Sequence, residues 1–189
     1  MDKVKFGLKN VHIHPIESID ENGLPVYDEP FAIPGAVNVK FDKDGDVKPF
    51  YADNIKYFVT VSNNGYSGDL EVAVITDEFR IKILGYVKDD NGVLVENSSV
   101  QPKSFAMTYE EEGDTDGTKF CLYNGTATRP SLNSKTTEDS KDPTTQTINV
   151  SFAPLKNGKV LAMSTEDTDA SVVANWHDEP YLGSALPSM

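Results

Sequence analysis

Three histidines, a run of aspartates, a block of carboxylates and one cysteine are the residues here whose types and spacing could do chemistry. His12 and His14 are two apart, so a strand would project both imidazoles to one face, as the start of a metal site does. Such a site needs a third and usually a fourth ligand. None lies nearby, and His177 is the remaining histidine. No metal site is therefore expected, and the histidines read as surface or interface residues. Asp42, Asp44 and Asp46 alternate in FDKDGDVKPF, as carboxylates do in a calcium loop. Counted from Asp42, Val47 stands where the loop needs glycine and Asp53 where it needs a bidentate glutamate. A solvated hairpin tip fits better.

Glu110, Glu111, Glu112, Asp114 and Asp116 form an acidic cluster. Paired carboxylates hydrolyse glycosides only when held across a cleft at a set separation. A consecutive run beside GDTDG reads instead as an exposed strand end and turn. Cys121, in TKFCLY, is the single cysteine, so no disulfide can form within the chain. It reads as a small packing residue. There is no Gly-x-Ser-x-Gly elbow and no phosphate-binding glycine loop. Trp176 with Tyr181 could form a sugar platform, although a hydrophobic anchor is the commoner use of such a pair. No catalytic residue and no cofactor is expected, and the chain is not read as an enzyme.

The chain has 189 residues and a formal net charge of −13. One domain spanning 1–189 is expected at this length. The acidic balance opposes a nucleic-acid clamp and an anionic membrane surface alike. No apolar run is long enough to span a bilayer as a helix.

The elements that must position these residues are mostly strands. Seven Asn-Gly or Asp-Gly steps punctuate the chain, beginning at residues 22, 44, 64, 91, 116, 124 and 157. They accept positive φ cheaply and favour hairpins, which predicts a mainly antiparallel β protein. Residues 145–152 alternate, with Ile148, Val150 and Phe152 opposite Thr147, Asn149 and Ser151. Phe105, Met107 and Tyr109 share a face, as do Phe120 and Leu122. Leu70, Val72 and Val74 lie opposite Asp69 and Glu71. Ile55 to Val61 is apolar on both sides, like an inner strand. One short helix is expected at about 77–84, capped by Thr76 and closed by Gly85, and a helical turn near Ala170 to Trp176 is a further candidate. Segments 15–30, 41–50 and 131–143 read as long loops.

Six blocks, taken in order, carry a resemblance: KFGLKNVHIHPI (5–16), PFYADNIKY (49–57), NNGYSGDLEVAVITDEF (63–79), LGYVKDDNGVLVE (84–96), KSFAMTYEEEGDTDGTKFCLYN (103–124) and, more weakly, NWHDEPYL (175–182). The chain resembles the major tail proteins, or tail-tube proteins, of non-contractile long-tailed bacteriophages (siphophages) of Gram-positive hosts. The resemblance implies an antiparallel β-sandwich or half-barrel with one flanking helix. It implies a structural virion protein, made in the host bacterial cytoplasm, whose copies form stacked, hexameric rings. The resulting tube would enclose a tape-measure protein, meet tail terminator and distal tail or baseplate proteins, and conduct DNA without binding it tightly. No C-terminal immunoglobulin-like domain is expected. Asp69 and Glu71 are candidate lumen residues, because an acidic conduit repels a polyanion and lets it slide. Asp42, Asp44, Asp46, Trp176 and Tyr181 are candidate ring-stacking contacts. The rival readings are a monomeric carbohydrate- or receptor-binding β-sandwich and a small hydrolase.

Overall fold

The computed structural model describes residues 6–112, 117–134, 136 and 144–183. Turn chemistry and alternation together divide the described residues into thirteen strands and two short helices. In chain order they are β1 (Phe6–Ile19), β2 (Pro25–Tyr27), β3 (Phe31–Ala32), β4 (Ala36–Asp44), β5 (Val47–Ala52), β6 (Ile55–Val61), β7 (Gly65–Val72), α1 (Asp77–Lys82), β8 (Val87–Lys88), β9 (Leu94–Val95), β10 (Phe105–Glu112), β11 (Thr118–Ala127), β12 (Gln146–Phe152), β13 (Leu161–Met163) and α2 (Ala170–Ala174). The fold is mainly antiparallel β, consistent with a sandwich.

One sheet dominates, in the order β2-β1-β10-β11-β12-β7-β4, with β3 added to β1 and β13 to β11. It curls enough that β4 returns to touch β1, although four strands separate them in the order. The concave face holds the main core. Ile13, Leu70, Val72, Phe105, Met107, Leu122, Ile148, Val150 and Phe152 all point into it and are buried. These are the alternating positions, so the pleat itself sorts them inward.

Helix α1 closes this core. Thr76 accepts a hydrogen bond from Phe79 N at 3.2 Å, and Asp77 and Glu78 occupy the first turn. Phe79 and Ile83 are fully buried beneath it. Gly85 follows at φ +75°, and a Cβ there would meet Val100 Cγ1 at 2.3 Å. The backbone reversal after the helix therefore needs glycine.

The other face of β1, β10 and β11 is covered by the C-terminal segment. Cys121, Tyr123, Leu155 and Trp176 form a second, smaller core there. Both faces of β10 are thus buried, and six consecutive residues from Phe105 to Glu110 are inaccessible.

Several expectations need correction. Segment 15–30 is not one loop: it contains the end of β1 and all of β2, because Ile16, Ser18 and Ile19 pair with Tyr27, Val26 and Pro25. Segment 41–50 is not a loop either, since β4 runs to Asp44 and β5 begins at Val47. Most of 131–143 lies outside the described residues. The strand carrying Asp69 ends at Val72, and Val74, beyond that end, is 65% exposed and does not share the buried face of Leu70 and Val72. The candidate turn at 170–176 is the short helix α2.

Candidate functional site

Strand β6 was expected as an inner strand, and the structure overturns that. All of its residues are exposed, as are nearly all of β5. The two strands form a separate hairpin sheet that pairs with no other strand among the described residues. Apolar side chains occupy both faces. Val47, Pro49, Val59 and Val61 lie opposite one another on one side, and Phe50 faces Phe58 on the other. Phe50, Tyr51, Tyr57 and Phe58 are each more than 60% exposed. An isolated two-stranded ribbon is marginal in water, and a set of exposed aromatics this dense marks an interaction surface.

Local chemistry builds this arm. Asp53 and Asn54 turn it at φ +52° and +62°, a pair of positive values that matches a tight two-residue hairpin. Between Phe50 and Tyr51 the register slips, leaving Tyr57 as an extra residue on β6. At the base, Asp46 N donates to Ser62 Oγ at 2.9 Å and Ser62 N to Asp46 O at 3.0 Å. Gly45 has φ +150°, and a Cβ there would sit 2.0 Å from Ser62 O, so the two backbones can approach only at glycine.

Asp42, Asp44 and Asp46 are therefore placed at the root of the arm, not at a hairpin tip. All three are exposed, and Asp46 lies 3.7 Å from Lys48 Nζ. They remain accessible to a neighbouring molecule.

Asp69 and Glu71 lie on the outer face of β7, among Lys40 and Asn38 of β4 and Thr147, Asn149 and Ser151 of β12. Asn149 Nδ2 donates to Asp69, and Thr145 Oγ1 to Glu71. This strip carries polar side chains, whereas the same strands bury their apolar other face. Both carboxylates are half-buried on that face.

Trp176 is corrected. It is 3% exposed, its Nε1 donates to Phe120 O at 3.1 Å, and it stacks on Tyr181 with ring centroids 5.9 Å apart. It anchors the C-terminal segment and offers neither a ring-stacking contact nor a sugar platform. Tyr181 is 42% exposed on the outside of that stack.

The acidic cluster divides. Glu110, expected at an exposed strand end, is 7% exposed. Its Oε2 accepts from Lys119 Nζ at 2.7 Å and Asn10 Nδ2 at 3.1 Å, and Lys9 Nζ is 3.4 Å from Oε1. Burial alone would raise its pKa, but the two donors and two ammonium groups outweigh burial and hold it down at about 2. Glu112 stays exposed and bonds Lys9. Asp114 and Asp116 lie outside the described residues.

The histidines are not plain surface residues. His14 is fully buried, and its Nε2 is 3.1 Å from Thr108 Oγ1. The same hydroxyl is 3.0 Å from His177 Nδ1, and the His177 ring stacks on His12 with centroids 5.0 Å apart. Sequence reading missed this network because β1, β10 and the C-terminal segment meet only in the fold. Among the described residues, no three of His, Cys, Asp or Glu are placed to hold a metal ion. Cys121 is buried, and burial pushes its thiol up to about 12, far from a reactive thiolate. No described helix is long and apolar enough to cross a membrane.

No family model matches the chain, and no curated protein matches it. Among solved structures the chain is similar to the anti-feeding prophage cap, described as a tube terminating cap. The identity is 12%, the match covers 86% of this chain and 93% of that chain, and the TM-score is 0.42. A likeness of that size leaves the functional reading to the geometry of the chain itself.

Proposed function

We propose that the protein is a structural, self-assembling subunit of a phage tail tube. The observation that carries this reading is the β5–β6 arm, an apolar hairpin left exposed by the rest of the described residues. The occupant it fits is a second copy of this chain. The arm holds two lysines and one aspartate in a molecule of net charge −13, so its charge complements the body of a neighbour. The order of the sequence blocks that resemble major tail proteins points the same way.

In this reading copies close into hexameric rings that stack, enclose a tape-measure protein and later pass DNA. Tail terminator and distal tail proteins would cap the ends, and the place of action is the virion after synthesis in the host cytoplasm. The polar strip bearing Asp69 and Glu71 would face the channel. The protein does no chemistry of its own.

Burying a side chain such as Phe50 or Phe58 contributes about 1.5–3 kcal/mol. Light scattering after size exclusion, with negative-stain images, tests the proposal on concentrated protein. Rings or tubes are expected. Phe50→Asp with Phe58→Asp should return them to monomers with an unchanged far-ultraviolet spectrum. Assemblies that survive the double substitution would mean that the arm is not the joining surface. A wild-type chain that stays monomeric, yet retains glycans on an array through the arm aromatics, would favour the binding-module reading.

A further inference from the structure

The C-terminal segment from Thr165 to Gly183 lies on the second core as a strap. Helix α2 buries no residue and has no side-chain cap. Trp176 is its buried anchor in the second core, with Val172 and Leu182 packed at the edge, and Pro180 is buried as well. Its polar ties include Trp176 to Phe120 O, Tyr123 OH to Tyr181 O, Lys159 to Leu182 O, and the His177–Thr108 contact.

That last contact is built from groups that oppose a proton. His177 faces the His12 ring of β1, and behind Thr108 stands His14. Lys9 of β1 and Lys119 of β11 lie around the same point, because both contact Glu110. Glu110 of β10 is the one carboxylate facing His177, at 3.7 Å from Nε2, too long for a hydrogen bond, and its oxygens are already taken by the two lysines and Asn10. Asp178 and Glu179 on the strap itself are exposed. Tyr27 of β2 meets His14 edge-on, and both His14 Nδ1 and the Tyr27 hydroxyl are buried without a partner among the described residues.

We infer that residues 165–183 form an acid-released strap, latched closed by the neutral His14–Thr108–His177 relay and opened when His177 takes a proton.

The sign follows from linkage. With the strap closed, burial, Lys119 and His12 hold His177 down at about 4, and burial with the other two histidines holds His14 at about 3. With the strap open, His177 returns to its ordinary value of 6.5. The closed form is therefore fully favoured above about pH 6.5 and loses ground as pH falls toward 4. Protonation of His177 alone raises the open-to-closed ratio by at most about tenfold per pH unit, about 80-fold between pH 6.5 and 4 and about 300-fold in the acid limit. Glu110, held near 2, keeps its charge throughout.

The chain carries its own reporters, since its single tryptophan, Trp176, is buried on the strap itself and its single cysteine, Cys121, is buried beneath it. Acrylamide quenching of Trp176 and reaction of Cys121 with 4,4′-dithiodipyridine, an acid-tolerant thiol reagent, are read from pH 7.5 to 4. Both should rise steeply below pH 6 while far-ultraviolet dichroism and amide protection of β7 and β12 stay constant. His177→Gln keeps a neutral partner for Thr108 without a titrating ring and should flatten the rise. His12→Gln, which removes the stacked ring from a partly exposed site, should move the rise to lower pH. The inference is overturned if both reporters stay silent to pH 4. It is equally overturned if they respond only together with loss of the sheet, or if His177→Gln leaves the rise unchanged.

Discussion

Glu110 is the residue at which burial and charge are most tightly balanced. Its folded-state pKa lies below the ordinary carboxylate value of 4.5, so its ion pairs stabilise the fold above that value. That contribution is lost as pH falls from about 4.5 toward 2. Glu110→Gln leaves Lys119, whose side chain is 14% exposed, beside a neutral amide. Urea unfolding at pH 7 should show a loss of about 2 kcal/mol, the scale of stranding one member of a largely buried charge pair. The variant should also lose part of the wild type's dependence of stability on pH below 5. An unchanged midpoint at pH 7 would mean that the pair contributes nothing net. None of this was legible in the sequence, where Glu110 is the first of three identical residues beside an acidic turn. What separates it from Glu112 is that Lys119 stands directly opposite it on β11 and that the covering segment arrives from far along the chain.

At the scale of elements, alternation told the truth where a strand has one wet side. Ile148, Val150 and Phe152 point into the core, and Thr147, Asn149 and Ser151 out of it, because a period of two admits no other arrangement. It misled at Ile55–Val61. An apolar run has the same composition whether its own chain or another molecule buries it. Pro49 and the Asp53–Asn54 turn were the signals available, since proline belongs on edges and both turn residues accept positive φ. The root of the arm makes a second prediction. Gly45→Ala forces Cβ against Ser62 O, so the backbone contact that aims the hairpin must open. Hydrogen exchange should accelerate through β5 and β6 by tenfold or more while β7, β11 and β12 stay protected. If the acceleration is uniform, the arm is coupled to the body more strongly than its isolation suggests.

For the whole molecule, net charge is the quantity that matters. The chain is at −13, and the polar strip of β4, β7 and β12 holds two of its carboxylates, Asp69 and Glu71. Within the tail-tube reading, Asp69→Lys with Glu71→Lys turns a repelling strip into a binding one for duplex DNA. Tubes of normal appearance are expected from such a variant, together with slower DNA release from assembled particles and a partial recovery at high salt. Release at wild-type speed would place the strip elsewhere than the channel. The acidic balance and the hairpin-rich architecture were both readable from composition and turn residues alone. The identity of the covered and uncovered faces was not, because it depends on where the C-terminal segment lies down.

The arm also has a consequence for life inside a crowded cell. Tyr57 to Val61 is a short, uncharged stretch with high β propensity, displayed on a free edge, which is the composition that seeds stacked aggregates. The chain answers with small obstacles: Lys56 beside the stretch, Lys48 and Pro49 across from its far end, and the bulge at Tyr57 that twists the ribbon out of flat register. Replacing Lys48 and Lys56 by threonine would leave every contact in the body intact, yet should convert soluble protein into inclusion bodies.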